Sequence, residues 1–253
     1  MSSVYLAGIS VGQHWTVQVL GQPIYLDTVV STLVAGLAVL GAGLYLRHAA
    51  TSGVPGKFQT LIELVWQAVD EYVGAMVGPF ARWLTPLVTT LFFFILVANW
   101  LELIPTGDRL TSPTSDPNLT FALAFLVIFL VHYTSIRQRG WRRYLKINYV
   151  HPPGLPKLAY LLLTPINLIT QLSYPVSLSL RLFGNIFAAA LMLQIIGLMP
   201  IYIFWLPNLI WKAFEGLFVD VIQAFIFALL TVIYVSMATH EEAAEPGVET
   251  SAA

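Results

Sequence analysis

One guanidinium stands alone in a long apolar stretch. Arg181 follows 23 uncharged residues (158–180) and precedes 30 more (182–211). A cation at the centre of a bilayer costs about 2.5–3.5 kcal/mol on insertion scales. Such a residue therefore tends to face a bundle interior or a water-filled cavity, where it can act on a moving ion. The alternative is an arginine that reaches up to the headgroups. The distance of Arg181 from both ends of its apolar run weighs against that. Asn167, Thr170, Tyr174, Ser177, Arg181 and Asn185 recur at spacings of three or four. On a helix these fall along one side, with Leu, Ile, Val and Phe on the others. Hydroxyls and amides can serve as glue between membrane helices. That accounts for Ser177 and Asn185 better than for Arg181.

A second set of polar residues lies nearer the C-terminus. Asp220 and Gln223 are three apart and share a face, with Glu215 about 80° from Gln223 at ~100° per residue. Carboxyls at membrane depth are neutral, paired with a cation, or hydrated. Glu215 and Asp220 are therefore candidates for carrying protons. The competing reading is a structural bridge from either acid to Arg181 or Lys212. Glu102, Asp116 and His132 sit closer to span ends, where solvated or capping roles compete with transport.

The composition defines what must position these groups. Of 253 residues, 57% are hydrophobic and 10% are charged, with a mean hydropathy of +0.76. A soluble domain carries about 25% charged residues. The chain reads as an all-α polytopic membrane protein, one membrane domain over 1–253. No cysteine is present, so disulfides and thiolate metal sites are excluded. No glycine-rich phosphate loop or metal-spaced histidine cluster appears, so no cofactor, nucleotide or nucleic acid is expected to bind directly. The N-terminus has no basic region before an apolar core, so no signal peptide is expected.

Residues 1–25 read as an external segment, 26–240 as the helical membrane region, and 241–253 as an acidic cytoplasmic tail. Residues 28–46, 83–101 and 118–136 each can span a ~30 Å core. Residues 57–78 alternate polar (Gln59, Thr60, Glu63, Gln67, Asp70, Glu71) and apolar faces at helical spacing, which predicts an amphipathic interfacial helix or one packed beside a partner. Residues 105–118 are rich in turn formers. Residues 137–157 hold six of the twelve cations, placing that loop in the cytoplasm, the N-terminus outside and the C-terminus inside. Residues 158–199 are too long for one upright span and must tilt, or bend near Pro165 and Pro175. Residues 200–208 read as a turn, and 205–238 as another overlong helix. These two long tilted helices form a hairpin, so that polar residues of one can face those of the other. About five membrane helices result.

LSLRLFGNIFA (178–188), with Pro175 upstream and IQAFIFALLTVIY (222–234) downstream, closely resembles the a subunit of F-type rotary ATP synthases. PLVTTLFFFILVANWLELIP (86–105) is similar to that family's second span. The resemblance runs from about residue 27 to 238. It implies a non-catalytic stator in a bacterial inner membrane, beside a ring of c subunits and b-type peripheral stalk subunits. Two aqueous half-channels would open to the ring from opposite sides, separated by Arg181. Asn185 and Gln223 match polar positions around that arginine, and Glu102 matches an acidic position at the end of its span. The chain also departs from the pattern. Ala190 and Gly216 stand where acids or His are common, and Thr170-Gln171 replaces an acidic pair. Glu215 and Asp220 are then the candidate relays of the outer half-channel, with hydroxyls and amides lining the inner one. The alternatives are a self-contained channel or secondary transporter, and an intramembrane enzyme using His132 with Glu102 and Asp220. No Ser-Gly or His-Glu catalytic motif supports the latter.

Overall fold

The computed structural model describes residues 16–19, 22–51, 53–78, 82–104, 112–142, 144 and 157–240. The acidic tail and most of the basic loop, including Arg143 and Lys146, lie outside the described residues, as does 105–111. A two-stranded antiparallel hairpin, β1 (Thr16–Val19) and β2 (Gln22–Tyr25), precedes the membrane region. Everything after it is helical: α1 (Leu26–Ala49), α2 (Lys57–Val77), α3 (Leu84–Trp100), α4 (Pro117–Arg139), α5 (Lys157–Gly197), α6 (Ile201–Phe214) and α7 (Asp220–His240). Among the described residues, five helical stretches are long and apolar enough to cross a membrane. Their many exposed Leu, Ile, Val and Phe side chains suit contact with lipid, where helices satisfy their own backbone.

Local chemistry sets several boundaries. The Asp116 carboxylate accepts the Asn118 N–H at 2.9 Å, and Pro117 occupies the first helical position, so α4 starts there. Gly140, with φ of 76°, ends α4 in a conformation that favours glycine. α5 continues as one helix of 41 residues through Pro165 and Pro175. At 1.5 Å per residue it is ~60 Å long, about twice a hydrocarbon core, so it must run strongly tilted.

The expected turn over 200–208 is overturned. Only residues 198–200 turn, and α6 begins at Ile201 with Pro200 as its cap. Pro200 and Pro207 read as turn signals, but a proline is compatible with a helix start, and Pro207 sits within the first two turns. From Ile201 the chain stays helical to His240, interrupted only by a π-turn, Glu215–Val219.

The core lies among α3, α4, α5 and α7. Ile95, Leu96, Ala124, Val127, Leu178, Leu182, Ala224 and Phe227 are buried in one cluster. α7 packs mainly on α3 and α4, and α5 mainly on α4, so α5 and α7 meet only narrowly. The buried stripe of α5 is Leu178, Leu182 and Ile186; its polar stripe points elsewhere. Polar residues of the last two long helices therefore face one another only in part, at Tyr174 and Tyr234, and the acids of the last segment stand away from Arg181.

α2 buries apolar side chains only in its C-terminal half, where Val73 and Val77 pack with Val88, Val232 and Val235. Two of its polar residues hold structure together. The Gln59 amide bridges the Thr51 backbone and Glu63. Asp70 accepts the buried Thr85 hydroxyl at 2.8 Å. α1 buries Asp27, Thr28, Ser31 and Ala35 and is otherwise largely exposed.

Candidate functional site

Arg181 lies on an open face of α5. Ile169, Leu172, Val176, Ser177 and Leu180 line a shallow trough with it. Among the described residues the guanidinium forms no ion pair, so the proposed bridges from Glu215 or Asp220 to Arg181 are not formed. Asn185, one turn further along, is half-buried, and its Nδ2 is enclosed with no hydrogen-bond partner. A fixed cation on an apolar, outward-facing groove is arranged for something that comes to it from outside the chain.

The acids gather elsewhere. Glu215 and Asp220 are almost wholly buried, and Glu102 half-buried on the 3-10 turn that closes α3. Glu102 feels both Glu215 and Asp220 electrostatically, and Lys212 is the cation near enough to offset them. The Asn99 side chain lies against Asp220. Glu102 Oε2, Asp220 Oδ1 and Asn99 Nδ2 are enclosed without hydrogen-bond partners. Buried polar groups are normally satisfied, by ordered water where protein does not reach. These three enclosed atoms mark a polar cluster at the end of α3. No group of acids and histidines among the described residues could hold a metal ion.

The π-turn explains how Glu215 joins this cluster. Within it the Asp220 N–H donates to Glu215 O, five residues back. One extra residue in a turn removes about 100° of rotation. Glu215 then lies ~20° from Gln223 around the axis, instead of the ~80° of an uninterrupted helix. The same shift strips Gly216 O of its helical donor, and the Trp100 indole N–H takes it at 2.8 Å. Leu103 occupies the space where a Gly216 side chain would stand. Position 215, beside Gly216, thus carries a carboxyl turned inward.

Residues 112–115 fold back onto this end of α3. Ser112 Oγ and Thr114 Oγ1 are 2.6 Å apart, Thr114 donates to Asn99 Oδ1 at 2.7 Å, and Ser112 donates to Ala98 O. Asp116 is a buried helix cap. His132 is not with the acids. It lies toward the other end of α4, 2.9 Å from the Tyr144 hydroxyl, so a grouping of His132 with Glu102 and Asp220 is not formed. Tyr174 and Tyr234 pair with ring centres 4.9 Å apart, and Tyr234 lies within electrostatic reach of Arg181.

The structure therefore unites Glu102, Glu215 and Asp220, with Gln223 one turn along α7, and leaves Arg181 and Asn185 apart on α5. Sequence reasoning missed Asn99 as part of the acid pocket, and the tyrosine pair. Asn99 is visible as an amide three residues before Glu102; nothing in spacing alone pairs Tyr174 with Tyr234.

Residues 29–236 match the family model described as "ATP synthase A chain". The chain is 43% identical over 237 residues to the ATP synthase subunit a of Acidothermus cellulolyticus, covering 91% of this chain and 83% of that one. It is 43% identical to the subunit a of Mycobacterium bovis, covering 95% and 97%. A more distant relative, from Psychrobacter, is 32% identical over 87% and 84%. A lone arginine on an open helix face and a buried cluster of acids thus occur in a chain that matches these relatives over most of their length: it belongs to the ATP synthase A chain family.

Proposed function

We propose that this chain is the ion-translocating stator of an F-type ATP synthase, coupling proton flow to rotation of a carboxylate-bearing ring. The observation that carries the reading is Arg181, which forms no ion pair among the described residues, on an outward-facing apolar groove. A ring helix sliding along that groove presents its acid to the guanidinium. The arginine favours the ionised acid, so an arriving proton is released, and its fixed charge repels protons that would leak past. Glu102, Glu215, Asp220 and Gln223 line the outer half-channel, and Asn185 supports the arginine's side of the contact. The basic residues after α4 support that end facing the cytoplasm, in a bacterial inner membrane. Moving one charge across 100 mV releases ~2.3 kcal/mol, so a ring must accumulate several steps for each ATP.

The absence of cysteine in the chain makes a direct test clean. Val176→Cys is paired with a cysteine beside the ring carboxylate in the assembled synthase. Oxidation is expected to join the two and stop rotation, while Leu40→Cys, on the exposed side of α1, gives no ring product. Ring cross-links from Leu40 and none from Val176 would overturn the assignment of this face.

A further inference from the structure

A second polar space lies at the other end of the bundle, between α4, α5 and α7. It is a partly enclosed cavity of about 110 Å³. His132, Ser135, Tyr144, Gln171, Tyr174 and Tyr234 supply its polar lining. One water needs about 10–15 Å³ of such volume and two to four polar partners, so the cavity has room and partners for several. Among the described residues no charged side chain lines it, and the titratable groups facing His132 are Tyr144, Tyr174 from α5 and Tyr234 from α7.

The cavity leads toward Arg181. Tyr174 sits two turns before the arginine on the same face of α5, and Tyr234 lies within its electrostatic reach. At the far side, the His132 imidazole is held by Tyr144, whose hydroxyl lies 2.9 Å from Nδ1. Tyr144 is itself buried and stacked on Trp141. A side chain so anchored has one orientation, which a proton-exchanging group requires. His132 stands seven residues before Arg139, at the end of α4 that the basic loop follows.

Resting on the stator reading above, we propose that this cavity is the inner access path, with His132 its proton-exchanging group and Tyr144 the residue that positions the imidazole. A proton leaving the ring acid passes through cavity water to His132. The imidazole binds it and releases one proton to cytoplasmic water, so the residue is unchanged after each passage. Gln171, where an acidic pair is common in the family, holds water here without charge. His132 then takes the place of the missing acids as the exchanging group.

The test uses vesicles carrying the whole synthase with its cytoplasmic face outward. ATP-driven pumping is followed as the medium is varied between about pH 5 and 8, where imidazole titrates. Uncoupled ATP hydrolysis in the same vesicles controls for the nucleotide side. His132→Gln is expected to lower pumping by about tenfold or more, at the lower end of or below the usual general acid–base range. It should also remove the imidazole inflection in the medium-pH profile, leaving the lumen-pH profile unchanged. Tyr144→Phe keeps the ring stacked on Trp141 and removes one hydroxyl. It should shift the medium-pH profile with a smaller loss of rate, and it carries the test where the glutamine variant does not assemble. Wild-type rate and medium-pH profile in His132→Gln, or an unshifted profile in an assembled Tyr144→Phe, overturns the proposal. Arg181→Ala separates the two claims. If it is inactive while His132→Gln behaves as wild type, only the inner path falls; if Arg181→Ala itself pumps normally, the stator reading falls.

Discussion

Arginine suits position 181 for two reasons. Its guanidinium stays charged at every accessible pH, and its planar fork can hold a carboxylate through two hydrogen bonds. Lysine offers a charge on a different stem, without the fork. Arg181→Lys is therefore expected to retain less than about a tenth of coupled pumping, a loss of ~1.4 kcal/mol or more in the barrier; wild-type pumping would show that charge alone is enough. Among the acids, Asp220 is almost wholly buried and Glu102 half-buried. Asp220→Asn should impair proton flux more than Glu102→Gln, and an equal or reversed ranking in vesicle pumping would count against Asp220 as the deeper relay. At this scale Arg181, Asp220 and Glu215 were legible, because a charge in an apolar run is conspicuous by composition. Tyr144 and Tyr234 were not, since a tyrosine near a span end is unremarkable until its neighbours across the bundle are known.

The element that matters most is the π-turn, Glu215–Val219. Its extra residue brings Glu215 onto the Asp220–Gln223 face and frees the Gly216 carbonyl for Trp100. Deleting Leu217, which is exposed, removes the extra residue and leaves about seven α-helical steps from Glu215 to Gln223, so Glu215 keeps its ~20° offset. Pumping is expected to survive this deletion and to fall in Glu215→Gln, with helix content by circular dichroism unchanged. Loss of pumping in the assembled deletion variant to the level of Glu215→Gln would mean that the turn does more than orient the acid. Gly216 is a matter of packing. A methyl there meets Leu103, so Gly216→Ala should destabilise by about 1–3 kcal/mol. Pairing it with Leu103→Ala should recover part of the loss in thermal unfolding of the complex; no recovery would separate the two positions. Helix lengths and most boundaries were legible from apolar runs, the Asp116-Pro117 start and the cationic end of α4. The π-turn was not, because nothing in EGLFV distinguishes it from an α-helical segment, and regular 100° stepping misplaced Glu215. Prolines 200 and 207 likewise read as a turn although the helix accommodates both.

Across the whole molecule, two polar spaces occupy opposite ends of α7. Asp220 and Tyr234 are fourteen residues apart, ~21 Å along the axis. Between them lies the apolar cluster around Leu182, Ala224 and Phe227. The proposed path between the two spaces therefore runs over the open groove of α5 rather than through this cluster. The sequence pattern implied an incomplete device, with charges in the membrane but neither repeat nor nucleotide motif. It expected the two long helices to face each other with their polar sides; Tyr174 and Tyr234 do so, while Glu215 and Asp220 gather beside Glu102 at the end of α3 and α5 turns its arginine outward.

The account stands most directly on ATP-driven proton pumping in vesicles bearing Arg181→Ala, with assembly and uncoupled ATP hydrolysis verified in parallel. We predict no pumping above that of fully uncoupled vesicles. Pumping at the wild-type rate by an assembled Arg181→Ala synthase would contradict it.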